Sequence, residues 1–189
     1  MIEIIALISI IAIFLIVVIL AMMYNGLIRA QKRVNNAWAQ IDVQLKRRAD
    51  LIPNLIEIVK GYAKFEKSTL TDVTKARTAM MNAKTPGQAA KAEDFLTSAL
   101  KSVFAVAEAY PTLKANENFK ELQEELTSTE NKVAFARQFY NDLVMEWNTK
   151  IALFPTNIAA AIFGMNKERE YFQVSESSKK SVKVDMSGI

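Results

Sequence analysis

Hydrophobic residues follow two regimes along this chain. From Ile4 through Phe14 to Met23 they are continuous, relieved only by Ser9, and no charge falls inside the run. Twenty such residues in α-helix reach roughly 30 Å, the thickness of a bilayer's hydrocarbon core. Beyond Tyr24 the apolar positions become periodic. Val34, Trp38, Ile41, Leu45, Ile52, Leu55, Val59, Tyr62, Val73 and Met80 recur three or four residues apart where the series is unbroken, the spacing of one helix face. Pro53 lacks the N–H that would bond the carbonyl of Ala49, so a kink or break is expected there. Leu45, Ile52 and Val59 keep a seven-residue interval across it, which favours one continuous helix over about 27–83.

Thr85-Pro86-Gly87-Gln88 combines an N-cap, a proline at the first helical position and a glutamine placed for a capping box. It predicts a second helix over 86–110, with Phe95, Ala99, Val103, Val106 and Tyr110 on its inner face and Pro111 as its stop. Asn118 followed by Glu121 suggests another capping box and a third helix over 118–154, whose stripe runs from Phe119 and Leu122 to Trp147, Ile151 and Phe154. A short helix over 156–163 follows, with Gly164 as its C-cap. The expected fold is all-α: a single N-terminal transmembrane helix (1–26), an antiparallel, up-and-down, four-helix-type bundle (27–174) and a polar tail (175–189).

A cleaved signal sequence would need a basic start, a shorter apolar run and a small-residue cleavage site, and none of these is present. The apolar run is therefore read as a retained anchor. Arg29, Lys32 and Arg33 follow it and no basic side chain precedes it, so the positive-inside rule places the N-terminus outside and the bundle in the cytoplasm. These three cations are also the candidates for phospholipid head-group contact.

The chain carries a net charge of +4, with no histidine and no cysteine. That balance falls short of a nucleic-acid-binding signature, and no nucleic-acid partner is expected. The missing residue types remove the commonest metal ligands, acid–base groups and thiol nucleophiles. Glu121, Glu124 and Glu125 complement a helix N-terminus and need no catalytic reading. No phosphate loop or nucleophile elbow appears. No enzyme activity and no cofactor or metal is expected.

The blocks YNGLIRAQKRVNNAWAQIDVQLKRRADLIPNLIEIVKGYAKFE and VAEAYPTLKANENFKELQEELTSTENKVAFARQFYNDLV, with the later pair Phe154-Pro155, resemble the LemA family of bacterial membrane proteins across essentially the whole chain. The resemblance implies a single N-terminal anchor, an extracytoplasmic N-terminus and a cytoplasmic antiparallel helical bundle. It implies no established biochemical activity, and some relatives are associated with internal bacterial membranes.

Two sets of residues invite a functional reading. Arg48 and Glu66 fall in phase with the core series, and Glu130 and Arg137 lie near the inner face of the third helix; interhelical ion pairs that fix register are expected of them. The second set comes from lengths. A first soluble helix from Leu27 to Ala83 would span roughly 85 Å, against roughly 37 and 55 Å for the next two. The stretch from Leu27 to Leu45 should then lack partners within the chain, leaving Val34, Trp38, Ile41 and Leu45 as a self-association stripe with Trp38 as its anchor, unless Pro53 bends the helix back and these residues join the chain's own core. The function expected from this is a non-catalytic, membrane-anchored helical scaffold that forms a homo-oligomer and organises or shapes the bacterial membrane. The alternative is a cytoplasm-facing adaptor that binds another membrane protein, such as an envelope-stress or protease component, with Phe163, Tyr171 and Phe172 as its docking surface.

Overall fold

Small and branched apolar side chains at three- and four-residue intervals make one continuous helix, α1 (Ile2–Tyr62), out of the apolar run and the periodic segment that follows it. Pro53 lies inside this helix without ending it. A computed structural model describes residues 1–62 and 67–173, and every regular element among them is helical. After α1 come α2 (Lys67–Asn82), α3 (Pro86–Glu108), α4 (Pro111–Lys114), α5 (Glu117–Ala152) and α6 (Thr156–Ile162). Glu66 and the expected tail over 175–189 lie outside the described residues.

The all-α, long-helix expectation holds, with one correction to its connectivity. The helix expected over 27–83 is two helices, α1 and α2. Arg77 of α2 donates from Nε to the carbonyl of Ala49 in α1 at 2.9 Å, a contact that a continuous helix, rising about 1.5 Å per residue, would place roughly 40 Å apart. The chain therefore reverses between the two. The physical consequence concerns Pro53 directly. Its missing N–H leaves the carbonyl of Ala49 without an intrahelical partner, and the Arg77 guanidinium supplies the bond.

The chain divides into two compact units. The first is Met1–Trp38 with Phe139–Glu170. Here the first part of α1 and the last part of α5 run antiparallel, as Arg33 paired with Glu146 and Trp38 stacked on Tyr140 at 5.7 Å show. Leu27, Ala30, Val34 and Ala37 pack with Tyr140, Val144, Trp147 and Ile151 as its core. Past α6 the chain returns along α5 as an extended strap. Trp147 donates from Nε1 to the carbonyl of Lys167 at 3.1 Å, and Asn148 both donates to and accepts from the backbone of Arg169.

The second unit runs from Ala39 to Gln138 and includes the described residues after Glu170. Four helical segments, from α1, α2, α3 and α5, surround a core that includes Ile41, Leu45, Ile52, Val59, Val73, Leu96, Val103 and Leu126. Thr85 caps α3 as expected, accepting from the Gln88 amide at 3.2 Å. The cap of α5 differs from expectation: Asn116, rather than Asn118, accepts from the amide of Phe119 at 3.0 Å. Ala99 and Val103 lie on the inner face of α3 as expected, but Phe95 does not. Leu96 is buried and Phe95 exposed, so Ala89, Glu93, Leu96, Leu100, Val103 and Ala107 face the core.

Candidate membrane-facing surface and buried charge cluster

The start of α1 is the one described helix long and apolar enough to cross a membrane, and its most apolar stretch has no side chain buried within the protein. Ile4 and Phe14 are more than 60% exposed, whereas Met23 is partly covered. Immediately beyond, Arg29, Lys32 and Arg33 are all exposed. Arg29 donates to the Asn25 carbonyl at 3.3 Å and Arg33 pairs with Glu146.

The four residues expected to await an external partner are placed otherwise. In the first unit Val34 is buried and Trp38 is half-buried against Tyr140; in the second, Ile41 and Leu45 are buried. The expectation of an uncovered stripe is therefore corrected. It rested on counting Leu27–Ala83 as one helix too long for its partners, whereas the reversal after α1 shortens that helix and the end of α5 covers its lower part. Ala37 takes the inward position that the sequence reading gave to Trp38.

Of the polar residues expected to pair, Arg48 and Glu130 meet. Arg48, 1% exposed, donates from Nη1 to Glu93 at 2.8 Å and to Thr97 at 3.1 Å, and from Nη2 to Glu130 at 3.1 Å. Arg47 beside it pairs outward with Glu125 at 2.6 Å. The ion pair between Arg48 and Glu130 ties α1 to α5, and the pair with Glu93 ties α1 to α3. Arg137 contributes a favourable field at Glu93. Burial raises the Glu93 carboxyl above its ordinary value, an effect that the positive charges of Arg48 and Arg137 offset in part and that Asp94 and Glu130 reinforce. Arg48 Nε is buried with no hydrogen-bond partner among the described residues.

Glu93 is the member that sequence reasoning missed. Its signal was available, since Glu93, Leu96, Leu100, Val103 and Ala107 share helical spacing, but choosing Phe95 for the inner face hid it. Three charged side chains from three helices, Arg48, Glu93 and Glu130, thus meet in one cluster. Thr97 in turn donates from Oγ1 to Glu93 at 3.5 Å, and among the described residues no group of three or more histidine, cysteine, aspartate or glutamate side chains could hold a metal ion. A shallow depression bounded by Lys120, Glu124, Thr127, Asn131 and Phe135 lies on α5 alone and is open to solvent.

The aromatics considered for docking are largely packed against the protein instead. Phe172 is buried, Tyr171 is partly covered, and Phe163 stacks on Tyr24 at 4.8 Å. The exposed aromatics of α5 are Phe135 and Phe139, one turn apart.

The chain is 25% identical to magnetosome protein MamQ 1 of Paramagnetospirillum magneticum over 88% of its own length and 70% of that protein's. It is 22% identical to magnetosome protein MamQ of Magnetospirillum gryphiswaldense over 87% and 70%. It is 31% identical to the protein LemA of Metamycoplasma hominis over 72% of its own length and 63% of that protein's. The model of the LemA family matches residues 37–186. That match takes in the four-segment bundle, the buried arginine cluster and the end of α5, and the chain belongs to the LemA family of bacterial proteins.

Proposed function

We propose that this chain is a non-catalytic helical scaffold, anchored in the bacterial cell membrane by a single span over 4–23, with its N-terminus outside and its bundle in the cytoplasm. The observation that carries the reading is the continuity of α1, in which an exposed apolar stretch passes without a break into a helix whose inner face is packed. Arg29, Lys32 and Arg33 support the orientation and stand where anionic head groups would meet them.

Association between copies is the finer part of the proposal. Val34, Ile41 and Leu45 are buried and give it no surface, so it falls to the exposed Phe135 and Phe139 on α5. The relatives named as magnetosome proteins support a membrane-associated role. The adaptor reading uses the same two phenylalanines with a different partner, another membrane protein.

Because the chain has no cysteine, single cysteines report topology without background. In spheroplasts, Ile2→Cys should react with a membrane-impermeant maleimide and the exposed Ser98→Cys should react only after lysis. The opposite pattern reverses the orientation, and reaction of both in intact spheroplasts removes the cytoplasmic bundle.

A further inference from the structure

We propose that the loop and helix at the end of α5, from Leu153 to Phe163, form a second membrane contact that lies in the interfacial layer beside the point where α1 leaves the bilayer. The proposal rests on the reading of residues 4–23 as a span. Its starting point is composition: from Ile151 to Asn166 there is no charged residue, and the stretch is bracketed by Lys150 and Lys167. In a water-facing turn between two helices this is unusual. The structure exposes its large apolar side chains instead of burying them. Leu153, Phe154, Ile158 and Ile162 are between 51% and 78% exposed, and Ile158 and Ile162 stand one turn apart on the outer face of α6, whose inner face is the buried pair Ala159 and Ala160.

Position within the first unit identifies the occupant. Phe163 stacks on Tyr24, the residue that follows the apolar run, at 4.8 Å. The Lys150 ammonium lies over Gly26, 3.8 Å from where a Cβ would stand. The exposed apolar cluster is thus level with the end of the span, where lipid acyl chains give way to head groups. Tyrosine at that depth, with lysine on either side of the apolar segment, is the pattern of an interfacial element, its apolar face turned into the acyl boundary and its cations toward anionic head groups. An isolated soluble surface rarely gathers so many large apolar side chains.

The expected consequence is read by depth-dependent quenching in the full-length protein, reconstituted in vesicles of phosphatidylethanolamine and phosphatidylglycerol. A nitrobenzoxadiazole probe is placed on single cysteines at Phe14→Cys, Ile158→Cys and Met145→Cys, the last being an exposed site on α5 in the same unit. The probe at 158 should be quenched by lipid carrying a shallow spin label and be severalfold less sensitive to aqueous iodide than the probe at 145. Iodide sensitivity at 158 equal to that at 145 overturns the proposal. Shielding from iodide without quenching by labelled lipid also overturns it, and assigns the surface to protein, a second copy or another chain. The probe at 14 reports the span separately. Quenching there by deep-labelled lipid, with none at 158, leaves the span standing and removes the second contact. Quenching at 158 without any at 14 removes the span and, with it, a contact placed beside the exit of α1.

Discussion

Arg48 holds its charge where almost no water reaches it, so the free energy of that charge depends on Glu93 and Glu130. Removing the arginine leaves Glu93 buried and without its strongest partner, the case in which a broken buried pair costs about 3–5 kcal/mol. Arg48→Ala should lower stability by about that amount, measured by chemical unfolding of the full-length protein in detergent. Arg48→Met combined with Glu93→Leu should recover most of the loss, because a well-packed apolar pair needs no desolvation. Glu93 also gives the stability a pH dependence. Its folded-state pKa is raised, chiefly by burial, from an ordinary 4.5, so the favourable contribution is fully present below 4.5 and is lost as pH rises through the folded value. The stability of the wild type minus that of Glu93→Gln should therefore be largest below pH 4.5 and fall toward neutrality; a difference that grows with pH would show that the attraction of Arg48 outweighs burial. Arg48 and Glu130 were legible in the sequence because a charge in phase with a long apolar stripe stands out. Glu93 was not, because α3 is rich in alanine, and a face made of small residues gives little contrast from which to choose between Phe95 and Leu96.

At the scale of elements, Pro53 and Arg77 form one device. A proline in the helix interior leaves the Ala49 carbonyl, on a residue with no exposed surface, without its intrahelical bond, and Arg77 reaches across from α2 to satisfy it at 2.9 Å. A hydrogen bond from a charged donor contributes about 1.5–3 kcal/mol. Arg77→Met should cost about that much in the native background and markedly less when combined with Pro53→Ala, which restores an N–H to the same carbonyl. A double-mutant cycle in thermal or denaturant unfolding checks it, and purely additive costs would show that the two positions act independently. Gly164 ends α6 with φ 65°, while the amides of Met165 and Gly164 close back on the carbonyls of Ala160 and Ala161 at 2.7 and 3.3 Å, the pairing of a Schellman cap. Nothing crowds the position, so Gly164→Ala should cost only the left-handed backbone penalty, about 1–2 kcal/mol, readable in the same unfolding assay. The helix ends at Thr85 and Gly164 were readable in advance, whereas the cap of α5 falls on Asn116 and not on Asn118. The reversal between α1 and α2 was not, since the apolar period continues through Val59, Tyr62, Val73 and Met80 in phase with one long helix. Period alone does not distinguish a continuous helix from two that fold back on each other, and the decisive contact, Arg77 to Ala49, is a polar one with no periodic signature.

At the scale of the whole molecule, the same reversal changes where association between copies has to be sought. Taken as one long helix, residues 27–83 leave Val34, Trp38, Ile41 and Leu45 facing outward; folded as two, the chain covers them with its own side chains. Replacing Trp38 and Ile41 by serine then removes the stacking of Trp38 on Tyr140 and puts a hydroxyl in place of a side chain with no exposed surface. A loss of about 3 kcal/mol or more is expected from the cavity and the buried polar group together, and the melting temperature should fall without any change in particle mass in a nanodisc. Phe135→Ser with Phe139→Ser should give the inverse result. Both rings are more than half exposed, so their removal leaves stability within about 0.5 kcal/mol, as for most surface substitutions, while reducing the mass of a self-associated particle to that of a single chain. Mass photometry of the two double variants beside the wild type separates the roles. Wild-type protein that is already a single chain in native lipid rules out a self-associating scaffold and leaves the exposed phenylalanines to a different protein. A drop in mass for the Trp38 and Ile41 variant with its melting temperature intact would instead return the adhesive surface to the membrane-proximal part of α1.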